Sequence, residues 1–128
     1  MRRYLGIDYG AARVGLAIAG DEARLAQPHT TVAPAELVET IRRDGPFDVL
    51  VVGLPRNLDG AETPQTLAVR RFAADRLEGL VPELVFQDEA GTSSVARERL
   101  EASGKKFKPE QIDAEAAAII LQDYLDSI

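Results

Sequence analysis

The sequence predicts an α/β fold: a mixed five-stranded sheet flanked by helices on both faces. Two patterns support this prediction. Two apolar, glycine-containing segments, 3–10 and 13–20, follow each other across a short turn, as the strands of an antiparallel hairpin do. Further along the chain, apolar segments alternate with amphipathic ones, which is the pattern of β–α units with parallel strands.

The first half of the chain supplies a hairpin, a short third strand, a helix and a fourth strand. RYLGIDYG and RVGLAIAG form the hairpin, with Gly10 available for a positive φ angle in its turn. Residues 29–32 are short enough for an edge strand, and His29 there is expected at the surface. APAELVETIRRDG is helical, with a proline in its first turn and a glycine after its end, and FDVLVVG is a strand covered on both faces.

The second half begins with a loop of turn-forming residues, LPRNLDGAE, followed by the amphipathic helix TPQTLAVRRFAADRLEG, which Thr63 caps. ELVFQDE is the fifth strand, and residues 92–102 form another helix. A basic connector, SGKKFK, leads to the closing helix PEQIDAEAAAIILQDYLDSI. No linker or repeat divides the 128 residues, so we expect a single domain over residues 1–128.

Composition excludes several kinds of chemistry. With no cysteine and one histidine, His29, the chain cannot build a thiolate zinc site or a cysteine nucleophile, and a histidine-based triad is hard to assemble. No apolar run approaches the roughly 20 residues of a membrane span, and no signal peptide is recognisable, so a cytoplasmic protein is expected. The net charge is −6, but residues 110–128 carry five acids and no Lys or Arg, so the preceding chain is nearly neutral.

Acids occur at three places where a ligand site is expected. Asp8 ends the first strand, the pair Asp88–Glu89 ends the fifth, and Asp113 lies on the packed side of the last helix. Each alone has an ordinary explanation as a turn residue, a helix cap or a first-turn acid. Together they predict carboxylates that converge on divalent cations, which can activate water for phosphodiester hydrolysis without histidine.

Basic and small residues surround these acids in the sequence. Arg13 follows the hairpin turn on the same rim as Asp8 and is a candidate to contact substrate, while Gly6 and Gly10 are expected to leave room for an ion and a phosphate. Arg70 and Arg71 fit a solvated helix face. The connector combines a phenylalanine with three lysines and suits contact with a nucleic-acid backbone: Lys105, Lys106 and Lys108.

Four motifs, YLGIDYGAARVGLAIAG, VVGLPRNLDGAETPQT, DEAGTSS and IDAEAAAIILQDYLDS, resemble the YqgF/RuvX family of small ribonuclease H-like proteins over essentially the whole chain. The resemblance implies a ribonuclease H-like fold and a metal-dependent endonuclease using Mg²⁺ or Mn²⁺. Its substrate is then a Holliday junction or another branched DNA, the precursor of 16S rRNA at its 5′ end, or both. The implied catalytic and metal-binding acids are Asp8, Glu89 and Asp113, with Asp88 as a supporting acid and Arg56 and Asn57 as contacts to substrate phosphates.

The sequence also departs from the family pattern. Ala90 and Gly91 stand where members commonly carry a basic residue and a leucine, and Glu115 stands where many carry a lysine. Both changes are expected to lower the positive charge near the site. The alternatives are a non-catalytic nucleic-acid-binding or assembly module of the same fold and, less compatible with the chain length, an actin-like ATPase. A nuclease that cuts a junction symmetrically is expected to act as a homodimer.

Overall fold

The computed structural model describes residues 1–89 and 92–128. One five-stranded sheet has the order β3-β2-β1-β4-β5. Its strands are β1 (Arg3–Tyr9), β2 (Val14–Gly20), β3 (Gln27–Val32), β4 (Val49–Pro55) and β5 (Glu83–Glu89). β2 runs antiparallel to both β1 and β3, whereas β1, β4 and β5 are parallel to one another. The prediction of a mixed five-stranded sheet is therefore confirmed.

The helices lie between and after the strands: α1 (Leu37–Asp44), α2 (Pro64–Phe72), α3 (Thr92–Ala102) and α4 (Pro109–Ser127). A 3₁₀ turn, Pro34–Glu36, precedes α1, and α2 continues as a π-helical turn, Ala73–Leu77. The predicted cap of α2 is present, since the Thr63 hydroxyl accepts the Thr66 N–H at 3.3 Å. The Thr66 hydroxyl in turn donates to the Pro55 carbonyl, which fixes α2 to the end of β4.

Both faces of the sheet are covered, because successive strand residues point to opposite sides. On one face, leucine, isoleucine and valine side chains pack against α1 and α2: Leu5, Ile7, Leu16, Leu50 and Val52 with Leu37, Ile41 and Val69. On the other face, smaller strand residues pack against α4: Tyr4, Ala17, Val49 and Val51 with Ala117, Ile120 and Leu121. α3 packs on the far side of α4 through Ala96.

Gly6 has a different role from the expected one, and Gly10 lacks the positive φ angle expected for its turn. A Cβ at Gly6 would lie 2.7 Å from the Leu121 Cβ, so this glycine makes room for α4 and not for an ion. Gly10 donates its N–H to the Arg13 carbonyl at 2.9 Å, and a Cβ there would lie 2.8 Å from that same oxygen. Gly10 does not lie in the left-handed φ region. Among the described residues, that region contains Arg24, Gly60, Gly79 and Gly104.

In the described part of the chain, no helix is both long and apolar enough to cross a membrane.

Candidate active site

A cavity of about 230 Å³ lies at the carboxyl ends of the three parallel strands. Asp8, Glu89 and Asp113 all line it, and Arg13 lies beside them. The remaining lining residues are Tyr9, Gly10, Pro55 and Gln65. The structure thus brings together three acids that are far apart in the sequence, at the edge of the sheet where ligands of open α/β folds bind.

Strand register positions two of these acids. Asp8 pairs with Gly15 of β2, and its side chain points to the α4 face of the sheet, as that of Tyr4 does; Gly6 faces α4 on the same side. Glu89 is the last residue of β5, where it pairs with Pro55. Its carbonyl accepts the Arg56 N–H at 3.3 Å, so the end of β5 is fixed to the segment that follows β4.

The third acid, Asp113, reaches the sheet because Gly15 has no side chain. Asp113 lies near the beginning of α4, directly over β2. A Cβ on Gly15 would overlap the Asp113 carbonyl group and lie 2.8 Å from the Ala114 nitrogen. Since Gly15 is also the β2 partner of Asp8, this close approach sets the helix acid next to the strand acid.

The grouping of acids is electrostatically unfavourable by itself. Burial raises the pKa of Asp8 to about 7, with further contributions from the negative charges of Glu89 and Asp113. Partly buried carboxylates that repel one another keep their charge when a cation lies among them. The cavity therefore has the electrostatic character of a cation-binding site.

The guanidinium of Arg13 places a positive charge beside the acids of this cavity. Its Nε donates to Oδ2 of Asp113 at 2.6 Å, which is a short, charge-assisted hydrogen bond. The sequence analysis placed Arg13 on the rim as a substrate contact but did not predict this pairing. The partners are 100 residues apart, and no local pattern reports such a contact.

Asp88 does not line the cavity. The alternation of β5 turns it to the sheet face opposite Glu89, where its Oδ1 accepts from Arg56 Nε at 2.9 Å. Arg56 Nη1 also donates to the Gly60 carbonyl at 3.3 Å. The Asn57 carbonyl accepts the Gly60 N–H at 2.8 Å, which closes a tight turn. Arg56 and Asn57 thus belong to a small, internally bonded loop that begins directly after Pro55 of the cavity wall.

The three predicted lysine contacts also lie outside the cavity. Lys105, Lys106 and Lys108 are exposed on the connector between α3 and α4. The Lys108 N–H donates to Oε1 of Gln111 at 2.7 Å, so the Gln111 side chain caps the beginning of α4, the helix that carries Asp113. The connector therefore lies at the same end of α4 as Asp113.

The two departures from the family pattern have different outcomes. Ala90 and Gly91 lie outside the described residues. Glu115 does not line the acid cavity; its carboxylate lies 3.8 Å from Nη1 of Arg99 on α3. The helix turns this side chain toward α3, so the effect of Glu115 on the charge near the acids stays a prediction.

Gln65 is a cavity residue that the sequence analysis did not identify. It lies in the first turn of α2, directly after the Thr63 cap and Pro64. The capping signal could have indicated it, since the cap fixes the beginning of α2 next to the end of β4.

The donor set fits a hard divalent cation. The acidic side chains that line the cavity offer only carboxylate oxygens, which suit Mg²⁺ or Mn²⁺. Within the described residues, however, no three or more His, Asp or Glu side chains are grouped closely enough to hold a metal ion as they stand. One carboxylate oxygen of Asp113 accepts a hydrogen bond from Arg13.

The sheet order and the acids at the ends of parallel strands define a class, the ribonuclease H-like α/β proteins. A solved structure described as "T. thermophilus RuvC in complex with Holliday junction substrate" has the same fold, with a TM-score of 0.56 and 16% identity over 99% of this chain and 95% of that one. Within this class the chain belongs to the RuvX family. The family model, described as "RuvX: Holliday junction resolvase", matches residues 2–127.

Curated relatives are similar over nearly their whole length. One from Anaeromyxobacter sp. (strain K) is 42% identical over 134 aligned residues, which cover 97% of this chain and 96% of the relative. Another, from Chloroflexus aggregans (strain MD-66 / DSM 9485), is also 42% identical and covers 96% and 92%. Both carry the name "Putative pre-16S rRNA nuclease".

Proposed function

We propose that this chain is an endonuclease that uses Mg²⁺ or Mn²⁺ to hydrolyse phosphodiesters of structured nucleic acid in the cytoplasm. The observation that carries the proposal is the cavity in which Asp8, Glu89 and Asp113 meet at the ends of the parallel strands. Two substrates are supported: a branched DNA junction, from the description of the family, and the 5′ end of precursor 16S rRNA, from the names of the relatives.

In this proposal Asp8, Glu89 and Asp113 hold the cation and are the catalytic residues. A bound Mg²⁺ or Mn²⁺ supplies Lewis acidity, which makes water a better nucleophile and stabilises the leaving oxygen. Asp8 is held near the end of β1, the central strand between β2 and β4, by its pairing with Gly15 of β2. Asp113 is placed by the packing of α4 over Gly15.

The basic residues are assigned to the substrate. In this proposal Arg13 at the cavity, and Arg56 and Asn57 in the adjoining loop, contact phosphates near the scissile bond; their proximity to the acids supports this assignment. Asp88 has a supporting role in this scheme, because its ion pair holds Arg56 against β5. The connector lysines 105, 106 and 108 contact the nucleic-acid backbone further from the acids.

A cleavage panel tests the proposal. Purified wild type is incubated with a four-way DNA junction and with a 16S rRNA precursor, each in Mg²⁺, in Mn²⁺ and in chelator. We expect cleavage only with metal, and a loss of about 100-fold or more in Asp8→Asn, Glu89→Gln and Asp113→Asn. Glu78→Gln, an exposed acid outside the cavity, is the matched control and should cleave like wild type.

Each contrary outcome identifies what is wrong. Robust cleavage in chelator, or unchanged cleavage by the Asp8 and Asp113 variants, excludes the metal-dependent enzyme. If wild type binds both nucleic acids and cleaves neither, the non-catalytic binding module is the correct function. The relative rates of cleavage of the DNA junction and of the rRNA precursor show which polymer, DNA or RNA, is preferred.

We also propose that the chain acts on a symmetric junction as a homodimer, because two equivalent strands must be cut by two equivalent sites. Analytical ultracentrifugation with and without an uncleaved junction in chelator tests this. A complex of two protein chains per junction supports the dimer, and one chain per junction excludes it.

A further inference from the structure

Arg13 lines the acid cavity and also contacts one of its acids. Its backbone is fixed at the end of the hairpin turn, where its carbonyl accepts the Gly10 N–H at 2.9 Å. Its side chain reaches across β2 to the beginning of α4 and donates from Nε to Oδ2 of Asp113 at 2.6 Å. About half of the Arg13 side chain (47%) remains exposed, against 21% of Asp113.

This contact matters for charge. Arginine keeps its positive charge at every pH at which proteins are folded, so the three acids always have one cation beside them. Glu89 and Asp113 both place negative charge beside Asp8 in this cavity. The hydrogen bond from Arg13 neutralises one of these two repelling groups and stabilises the cavity when no other cation is there.

The same contact occupies Oδ2, one of the two carboxylate oxygens with which Asp113 can hold a divalent cation. The guanidinium at 2.6 Å and a cation on Oδ2 would repel each other, so the two compete for this oxygen. An ion pair with a half-exposed arginine is weak, worth about 0–1 kcal/mol, so a divalent cation can displace it. The released guanidinium is then free to form a bidentate contact with a substrate phosphate.

We propose that Arg13 competes with the metal for Asp113: it occupies Oδ2 in the metal-free protein and must leave this oxygen before a divalent cation binds there. This inference rests on the proposed function, which assigns Asp113 to the cation. It gives Arg13 two successive partners, first Asp113 and then the substrate. Divalent-cation affinity is thereby kept lower than the three acids alone would give.

The test is a direct Mn²⁺ titration without nucleic acid, with free Mn²⁺ followed by electron paramagnetic resonance. Wild type is compared with Arg13→Ala, Arg13→Lys, Asp113→Asn and Arg2→Ala. Arg2 is a matched control, since it is also 47% exposed and donates to a carboxylate, Glu83, at 2.8 Å, but does not line the cavity. Circular dichroism verifies that each variant is folded.

We expect Arg13→Ala to bind Mn²⁺ about fivefold more tightly than wild type, the factor that corresponds to losing a competing pair of about 1 kcal/mol. Arg13→Lys keeps the charge and should stay within about twofold of wild type, and Arg2→Ala should not differ from it. If wild type binds Mn²⁺ through Asp113 but Arg13→Ala binds equally or more weakly, the competitor is excluded and the proposed function stands. If neither protein binds Mn²⁺, both proposals are overturned.

Discussion

Gly15 lies under the first turns of α4 and opposite Asp8 in the register of β1 and β2. Gly53 has the same relation to α4 further along the helix, where a Cβ would lie 2.5 Å from the Ile120 Cδ1. These two glycines, like Gly6, let a helix rest on the sheet at short distance. At Gly15 the consequence is functional, because the helix residue it accommodates is Asp113.

Gly15→Ala tests this relation. The new Cβ would overlap the Asp113 carbonyl, so the beginning of α4 must move away from β2. We expect the free energy of unfolding to fall by about 1–3 kcal/mol, as measured by urea denaturation. We also expect Mn²⁺ binding to weaken, since Asp113 moves away from Asp8.

Gly20→Ala is the control, because the nearest atom to a Cβ there is the Arg2 carbonyl oxygen at 4.0 Å. It should change the unfolding free energy far less. If the two variants are equally stable, Gly15 does not set the position of α4.

At the residue scale, the sequence predicted the acids and placed Arg13 beside them, but it did not predict which side-chain contacts these residues make. The two-residue period of β1 correctly predicted that the Asp8 side chain lies on the sheet face opposite those of Leu5 and Ile7. The same period separates Asp88 from Glu89, yet which of the two faces the cavity depends on where β4 and α4 lie. The Arg13 contact with Asp113 likewise exists only after the sheet has formed and α4 has packed on it.

At the scale of elements, the predicted strands and helices are present, and the differences lie where tertiary contacts decide. β4 extends to Pro55, beyond the predicted end at Gly53, because Pro55 pairs with Glu89 of β5. The predicted continuous helix after Thr63 changes to a π-helical turn at Ala73. Both differences lie outside what local apolar periodicity can report.

The end of α1 is joined to the edge strand β3 through Asp44. Its carboxylate accepts from Arg43 Nε at 2.9 Å and lies 2.8 Å from His29 Nε2. Hydrogen bonds from Arg43 and then His29 lower the pKa of Asp44 to about 2. His29 is exposed, as predicted, but it has this structural partner.

Asp44→Asn should therefore destabilise the protein in a pH-dependent way. The folded-state pKa of Asp44, about 2, is below its ordinary value of 3.8, so its contribution is complete above that value and is lost as the pH falls toward 2. We expect the urea midpoint of the variant to be lower than that of wild type at pH 6, with the difference shrinking below pH 4. Arg43 and His29 are the groups that face this carboxylate.

Asp75→Asn, an exposed acid in the π-helical turn, controls for the loss of one negative charge. A stability difference for Asp44→Asn that is constant from pH 6 to pH 3 would contradict the assignment to the ionised carboxylate.

At the scale of the whole molecule, charge is unevenly distributed. The net charge is −6, and five of the acids lie from residue 110 onward. All three lysines of the chain lie on the connector immediately before α4. A phosphate backbone is repelled by the molecule as a whole, so local groups of cations must supply the attraction.

The triple variant Lys105→Ala, Lys106→Ala, Lys108→Ala tests whether the connector is such a group. Each phosphate that a protein cation neutralises makes log K fall with log salt by a slope of about 0.7–0.9. Losing the three lysines should therefore reduce this slope by about 1–3. Fluorescence anisotropy in chelator, at about 50 to 200 mM KCl, measures this slope for the junction and for the rRNA precursor.

The control variant replaces three exposed arginines on the opposite helical layer, Arg42, Arg71 and Arg76, and should retain most of the slope. Equal flattening in both variants would mean that net charge and not the connector governs binding. If the connector contacts the nucleic-acid backbone, losing its lysines must flatten the slope more than losing the arginines does.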